Sequence, residues 1–178
     1  MIICAGGNEQ FSFARSVGIG LIDSAITLTK IMLLEQPKYL LFVGSAGSYG
    51  RLPLLEVFES TKASNIELSL LQAQSYTPLD NMLCDENVSH ETKTVNSSNY
   101  ITTDSKLSEQ FIALDIDLEN MEFYSVLKVA QHFGIQAKAI LVTTNYCHKS
   151  AQNEFSLNHR QALKRLESYT RECYAEYF

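Results

Sequence analysis

Residues 39–43, Tyr-Leu-Leu-Phe-Val, form an unbroken apolar run that passes directly into Gly44-Ser45-Ala46-Gly47-Ser48-Tyr49-Gly50. A run of strand length with no polar alternation predicts a strand covered on both faces, since an open face would leave its apolar side chains in water. The glycines behind it predict a permissive loop at its carboxyl end, rich in backbone N–H groups free to meet an anion or a sugar hydroxyl. A second short apolar run, residues 1–5, ends at Gly6-Gly7. Between the two, Ile22, Ala25, Ile26, Thr29 and Leu33 recur at helical spacing within residues 22–36, with Pro37 just beyond.

The pattern then loosens and recovers. Residues 55–60, 66–73 and 93–95 read as strands, and the polar stretch 77–91 reads as loop. Thr103 or Asp104 is a candidate cap for a short helix through 111, and 114–118 reads as an apolar-alternating strand. A helix over 121–133 puts Val126, Val129, Ala130 and Phe133 on one face and ends at Gly134, followed by a buried strand at 137–143. The tail, 153–177, repeats Phe155, Leu163, Leu166, Tyr169, Cys173 and Tyr177 as a helix packed across the sheet. The alternation predicts a three-layer α/β/α sandwich with a mixed, largely parallel sheet, as one domain over 1–178.

Charge and composition narrow the partners. A formal net charge of −6 leaves no basic surplus to displace counterions from a nucleic-acid backbone, so a small molecule is the expected partner. No apolar run approaches the length needed to span a bilayer, and no basic segment precedes the first one, so the expectation is a cytoplasmic protein with no membrane association. Cys4, Cys84, Cys147 and Cys173 are dispersed without a CxxC pair, which suits reduced thiols and argues against a zinc site.

In open α/β sheets ligands settle beyond the carboxyl ends of the strands. The loop after Val43 is neither a Walker loop, for no Lys-Ser or Lys-Thr follows, nor a dinucleotide fingerprint; its glycines either serve a ligand or simply turn the chain. Glu122 stands where a strand passes into a helix, and its carboxylate either binds vicinal hydroxyls or complements the helix dipole. Asn145-Tyr146-Cys147-His148 closes the last strand; adjacent residues rarely share a metal ion, and nothing in the sequence marks Cys147 as a thiolate.

Together these segments resemble the successive signatures of the purine nucleoside phosphorylase and methylthioadenosine nucleosidase superfamily. Gly18-Ile19-Gly20 with its helix, the Val43-Gly44-Ser45-Ala46-Gly47 segment, Asn99-Tyr100-Ile101, Asn120-Met121-Glu122 and the strand ending at Asn145 lie in the family's order. A long stretch usual between the first strand and the Gly-Ile-Gly segment is absent. The resemblance implies cleavage of the N-glycosidic bond of a purine nucleoside, without a cofactor or a metal, with inorganic phosphate as a possible co-substrate, in a homo-oligomer. It assigns Ser45 to nucleophile or ribose, Tyr100 and Ile101 to the base, Met121 to the underside of the sugar, Glu122 to ribose O2′ and O3′, and Asn145 to the N7 side of the purine.

Three departures shape the expectation. Many relatives carry Asp where this chain has Asn145; an amide hydrogen-bonds N7–H and O6 together, which suits 6-oxopurines such as those of inosine and guanosine. Leu41-Phe42-Val43 lacks the Arg that holds phosphate in bacterial phosphorylases; Arg15 and Arg51 are the nearest replacements or else surface residues. Asn8-Glu9 replaces an Arg-bearing form, and Glu9 is a candidate general base for water or a loop carboxylate. Phosphorolysis is thus the first expectation, with hydrolysis through Glu9, or a nucleoside-binding protein without turnover, as the alternatives.

Overall fold

The computed structural model describes residues 1–85 and 92–175, and two long parallel strands form its centre. β3 (Tyr39–Ser48) and β9 (Gln136–Tyr146) pair from Tyr39↔Gln136 to Ser48↔Tyr146, with one register shift between Ala46 and Gly47. Leu40 and Phe42 point into one apolar cluster, Leu41 and Val43 into another on the opposite face. Both faces are covered, which is why the run is continuous. The segment predicted as a glycine loop is strand as far as Ser48, because β9 offers backbone partners up to Tyr146. Its N–H groups are therefore largely taken by the sheet, and that of Ser45 goes to Glu9.

On its other edge β3 changes neighbours. β1 (Ile2–Cys4) lies parallel to its first half, pairing Ile2↔Leu41 and Ile3↔Phe42. β8 (Leu118–Asn120) lies antiparallel to its last residues, pairing Gly47↔Glu119 and Ser48↔Leu118. Between Val43 and Ala46 that edge has neither, so the sheet parts there. Beyond β1 lies β2 (Arg15–Ser16); beyond β8 follow β7 (Thr94–Ser97), β5 (Lys62–Ser64) and β6 (Met82–Cys84), while β4 (Val57–Ser60) closes the far edge of β9. Five of the eight pairings among the described residues are parallel.

Helices cover both faces, so the sandwich is three-layered as the sequence predicts. α1 (Leu21–Glu35) and α4 (Phe123–His132) bring Leu28, Ile31, Met32, Val126, Leu127, Val129 and Ala130 onto one side. α5 (Ala151–Cys173) brings Ala162 and Leu166 onto the other. α2 (Leu68–Leu71) and α3 (Ser105–Ala113) flank a smaller cluster of Tyr49, Ile66, Phe111, Ile116 and Cys147. No helix among the described residues is long and apolar enough to cross a membrane.

Several elements differ from expectation. The stripe read as the buried face of α1 is turned outward, with Ile22, Ile26 and Leu33 at 66%, 65% and 64% exposure. The helix carries two apolar stripes, and its rotation is set at its amino end, where Ser125 Oγ donates to Leu21 C=O at 2.7 Å and Gly20 N–H donates to Glu122 at 2.9 Å. Residues 66–73 contain α2 and no strand, because the Asn96 amide takes the Ile66 N–H at 2.8 Å, returns a bond to its C=O at 3.1 Å, and so ends strand pairing. The strand placed at 114–118 begins only at Leu118, since Asp115 adopts a left-handed turn (φ 59°) behind α3. β5 and β6 have no counterpart in the reading; of the predicted loop, 86–91 lies outside the described residues, as does Tyr177 of the predicted tail helix.

Candidate active site

The site occupies the parting of the sheet. After β1 the chain turns at Gly6 and Gly7, both at positive φ, and the Glu9 N–H donates to Gly6 C=O at 3.0 Å. This turn brings Glu9 back over β3, where its Oε1 receives the Ser45 backbone N–H at 3.1 Å and the Ser45 hydroxyl as well. A Cβ at position 44 would lie 2.8 Å from Glu9 Oε2, so glycine there lets the carboxyl settle onto the strand. Burial pushes the Glu9 carboxyl up to about 7, against the pull of the two Ser45 donors and helped by the nearby Glu122 charge.

Glu122 lies two residues beyond β8, immediately before α4. The first N–H groups of that helix are met by other side chains: Phe123 by Asn120 Oδ1 at 3.3 Å and Tyr124 by Ser97 Oγ at 2.9 Å. The Glu122 carboxyl does not cap the helix and instead takes the N–H groups of Gly20 at 2.9 Å and Met121 at 3.2 Å. Burial raises its affinity for a proton, and those two N–H groups oppose the rise.

Asn145 lies near the end of β9. Its Oδ1 accepts from the Thr144 hydroxyl at 2.9 Å and its Nδ2 donates to Tyr146 C=O at 3.2 Å, leaving one N–H and one lone pair for a ligand. Tyr100 and Ile101 stand at the mouth, 72% and 52% exposed. Glu9, Ser45, Tyr100, Ile101, Met121, Glu122 and Asn145, all seven residues singled out in the sequence, line one cavity of about 200 Å³.

Three further acidic or amide residues line it, Asn8, Glu119 and Asn120, to which the sequence reading gives no role. Glu119, buried on β8, accepts the Thr102 N–H at 2.9 Å, the Thr102 hydroxyl at 2.5 Å, the Tyr49 hydroxyl at 2.9 Å and the Cys147 thiol at 3.7 Å. It thereby ties down the segment bearing Tyr100 and Ile101. Asn120 Oδ1 accepts from Ser97 and Phe123, while its Nδ2 is buried and without a partner among the described residues. The available signal was a glutamate and an asparagine inside a strand that the core otherwise requires to be apolar. Phe155 of α5, read as core, also faces the cavity.

Of the two alternatives open for Arg15 and Arg51, phosphate ligand or surface residue, the structure favours the second. Arg15 pairs with Glu35, and Arg51 donates to Asp115 and to Ile112 C=O, each at 2.8 Å. No Lys, Arg or His is among the described residues that line the cavity. The Cys147 thiol is held well above its ordinary value by burial and by the Glu119 carboxylate, which keeps it a thiol.

The same architecture recurs in solved structures. A 5′-methylthioadenosine/S-adenosylhomocysteine nucleosidase from Helicobacter pylori superposes with a TM-score of 0.78 at 16% identity, over 92% of this chain and 79% of that one. The futalosine hydrolase of Helicobacter pylori gives 0.78 at 16%, over 92% and 78%. The 5′-methylthioadenosine/S-adenosylhomocysteine nucleosidase of Neisseria meningitidis gives 0.71 at 14%, over 85% and 75%. At these identities the likeness is one of fold. No curated protein matches the sequence. The model of the phosphorylase superfamily matches residues 2–175, and the chain belongs to that superfamily.

Proposed function

We propose that the chain is a hydrolytic nucleosidase, cleaving the N-glycosidic bond of a nucleoside with water in place of phosphate. The observation that carries this reading is the Glu9 carboxyl, poised near neutrality over Ser45 in a cavity lined by three glutamates and no cation among the described residues. A phosphate dianion entering there meets like charge without compensation, whereas water meets a base. The structural likeness to nucleosidases and a hydrolase supports the same choice.

In this reading Glu122 holds the 2′ and 3′ hydroxyls of ribose, Met121 packs against the sugar and Tyr100 and Ile101 border the base. Fixing ribose lets the glycosidic bond lengthen toward an oxocarbenium-like state, which the surrounding carboxylates stabilise. Asn145 has one donor and one acceptor left for the base, the pair that O6 and N7–H of a 6-oxopurine protonated at N7 require. No cofactor is needed for this chemistry. The test is incubation with inosine, guanosine, adenosine and methylthioadenosine, each with and without phosphate. Free pentose in both conditions supports hydrolysis; ribose 1-phosphate formed only with phosphate returns the site to phosphorolysis.

The same proposal includes a homo-oligomer. Ile22, Ile26, Leu33 and Leu34 of α1 are 64–71% exposed, and Ile19, Tyr100 and Ile101, also exposed, line the cavity. A second copy seated there would shield both the helix and the base side of the pocket.

A further inference from the structure

Four donors from three separate stretches of the chain converge on the Glu119 carboxyl. Oε1 takes the Thr102 N–H at 2.9 Å and the Cys147 thiol at 3.7 Å; Oε2 takes the Tyr49 hydroxyl at 2.9 Å and the Thr102 hydroxyl as well. Burial raises the affinity of this carboxyl for a proton, and the four bonds oppose the rise, those of Thr102 most. Either form keeps the cluster together, because the Thr102 and Tyr49 hydroxyls can accept as well as donate. None of the four donors serves Glu9 or Glu122, whose bonds come from Ser45, Gly20 and Met121.

The cluster borders the cavity on two sides. Thr102, 2% exposed, directly follows Ile101, and at the other end of that segment Asn99 Oδ1 accepts the Leu21 N–H at 2.9 Å. Tyr100 and Ile101 thus span two fixed ends. On the second side, Glu119, Gly47 and Asn145 lie in one row across β8, β3 and β9, so the row shares one face of the sheet. A Cβ at position 47 would lie 2.8 Å from Cys147 Sγ and 3.1 Å from Asn145 Nδ2. Glycine there leaves a gap that the thiol fixed by Glu119 and the Asn145 amide both border.

Resting on the reading above, in which Tyr100, Ile101 and Asn145 meet the base, we propose that Glu119 is a positioning residue for base recognition. It acts through Thr102 and Cys147, and so sets the Tyr100–Ile101 segment against the Asn145 edge. It shares no donor with Glu122 or Glu9, which serve ribose and water. Its loss therefore loosens the hold on the base and leaves cleavage of bound substrate nearly unchanged.

The experiment measures dissociation constants for hypoxanthine and adenine by calorimetry, and kcat and KM for inosine and adenosine, in the parent, Glu119→Met and Glu119→Gln. Met keeps the length of the side chain without its strong acceptors. Gln can accept the Thr102 N–H and donate to the Thr102 and Tyr49 hydroxyls. In Glu119→Met the better-bound base is expected to weaken about tenfold or more, with KM rising in step and kcat within about threefold, and Glu119→Gln recovers most of the loss. Thr102→Val removes one hydroxyl and leaves the carboxyl in place; it gives a smaller loss in the same direction and carries the test if Glu119→Met does not fold. Base affinity unchanged in every variant that folds overturns the proposal and leaves the hydrolytic reading intact. So does a kcat that collapses in Glu119→Gln at unchanged base affinity, which would make this carboxyl a proton donor. A parent chain that binds a base yet releases no pentose overturns the hydrolytic reading alone. One that binds neither base and cleaves neither nucleoside overturns both.

Discussion

Glu9 and Ser45 meet across the parting of the sheet, the Glu9 carboxyl held by the backbone N–H of Ser45 at 3.1 Å and by its hydroxyl. Both donors stabilise the charged form, and burial opposes them, so that the group titrates close to neutrality. A base so poised takes a proton readily without being permanently protonated.

The first prediction follows from the sign of that shift. With Glu9 raised from 4.5 to about 7, activity needs the ionised form and rises with pH to a plateau above neutrality. Stability runs the opposite way, because the folded state holds the proton more tightly than the unfolded one. The contribution is fully present below pH 4.5 and is lost as pH rises through about 7, costing roughly 3 kcal/mol at higher pH. Glu9→Gln is therefore expected to lose about 10²-fold or more in turnover while melting at a higher temperature than the parent at pH 8. Equal melting of the two proteins at pH 8 would remove the buried-carboxyl account.

Glu122→Gln tests the ribose contact. The variant keeps the shape and removes a buried charge, which offsets the acceptor lost to Gly20 or Met121 N–H, so folding changes less than activity. Each charge-assisted bond to a sugar hydroxyl is worth about 1.5–3 kcal/mol, which corresponds to a loss of roughly 10- to 150-fold in kcat/KM. Parallel denaturation curves establish whether the loss is confined to activity. A matching fall in stability would show that the carboxylate serves mainly to hold Gly20 and Met121.

Asn145→Asp places a carboxyl where an amide now lies between Thr144 and Tyr146. A carboxylic acid can protonate N7 of a neutral purine and its conjugate base can accept from an exocyclic amine. The expected outcome is a higher rate on adenosine relative to inosine. A ratio unchanged by the substitution would place the base away from this side chain.

The outward stripe of α1 predicts self-association. Ile22→Asp combined with Ile26→Asp sets two charges on residues that are already about two-thirds exposed, so the fold should tolerate them. Light scattering after size exclusion should then show a monomer where the parent chain forms an oligomer. A parent chain that is monomeric at micromolar concentration would reject this use of the face.

The layering of the molecule was legible in the sequence. The continuous run at residues 39–43 requires cover on both faces of a strand, helical spacing supplies that cover, and Gly134, at φ 68°, marks the end of α4. The seven residues named from the sequence came chiefly from the resemblance and not from local pattern, and the fold brings them to one cavity. Tertiary structure decided what local pattern does not encode. Which of two apolar stripes α1 buries depends on contacts from Glu122 and Ser125, about a hundred residues away in the chain. The segment 44–48 became strand because β9 lies beside it, and Glu119 entered the site because β3 exchanges β1 for β8 along one edge. Propensity acts among near neighbours in sequence, whereas strand pairing and the burial of a carboxyl are settled by residues that only folding brings together.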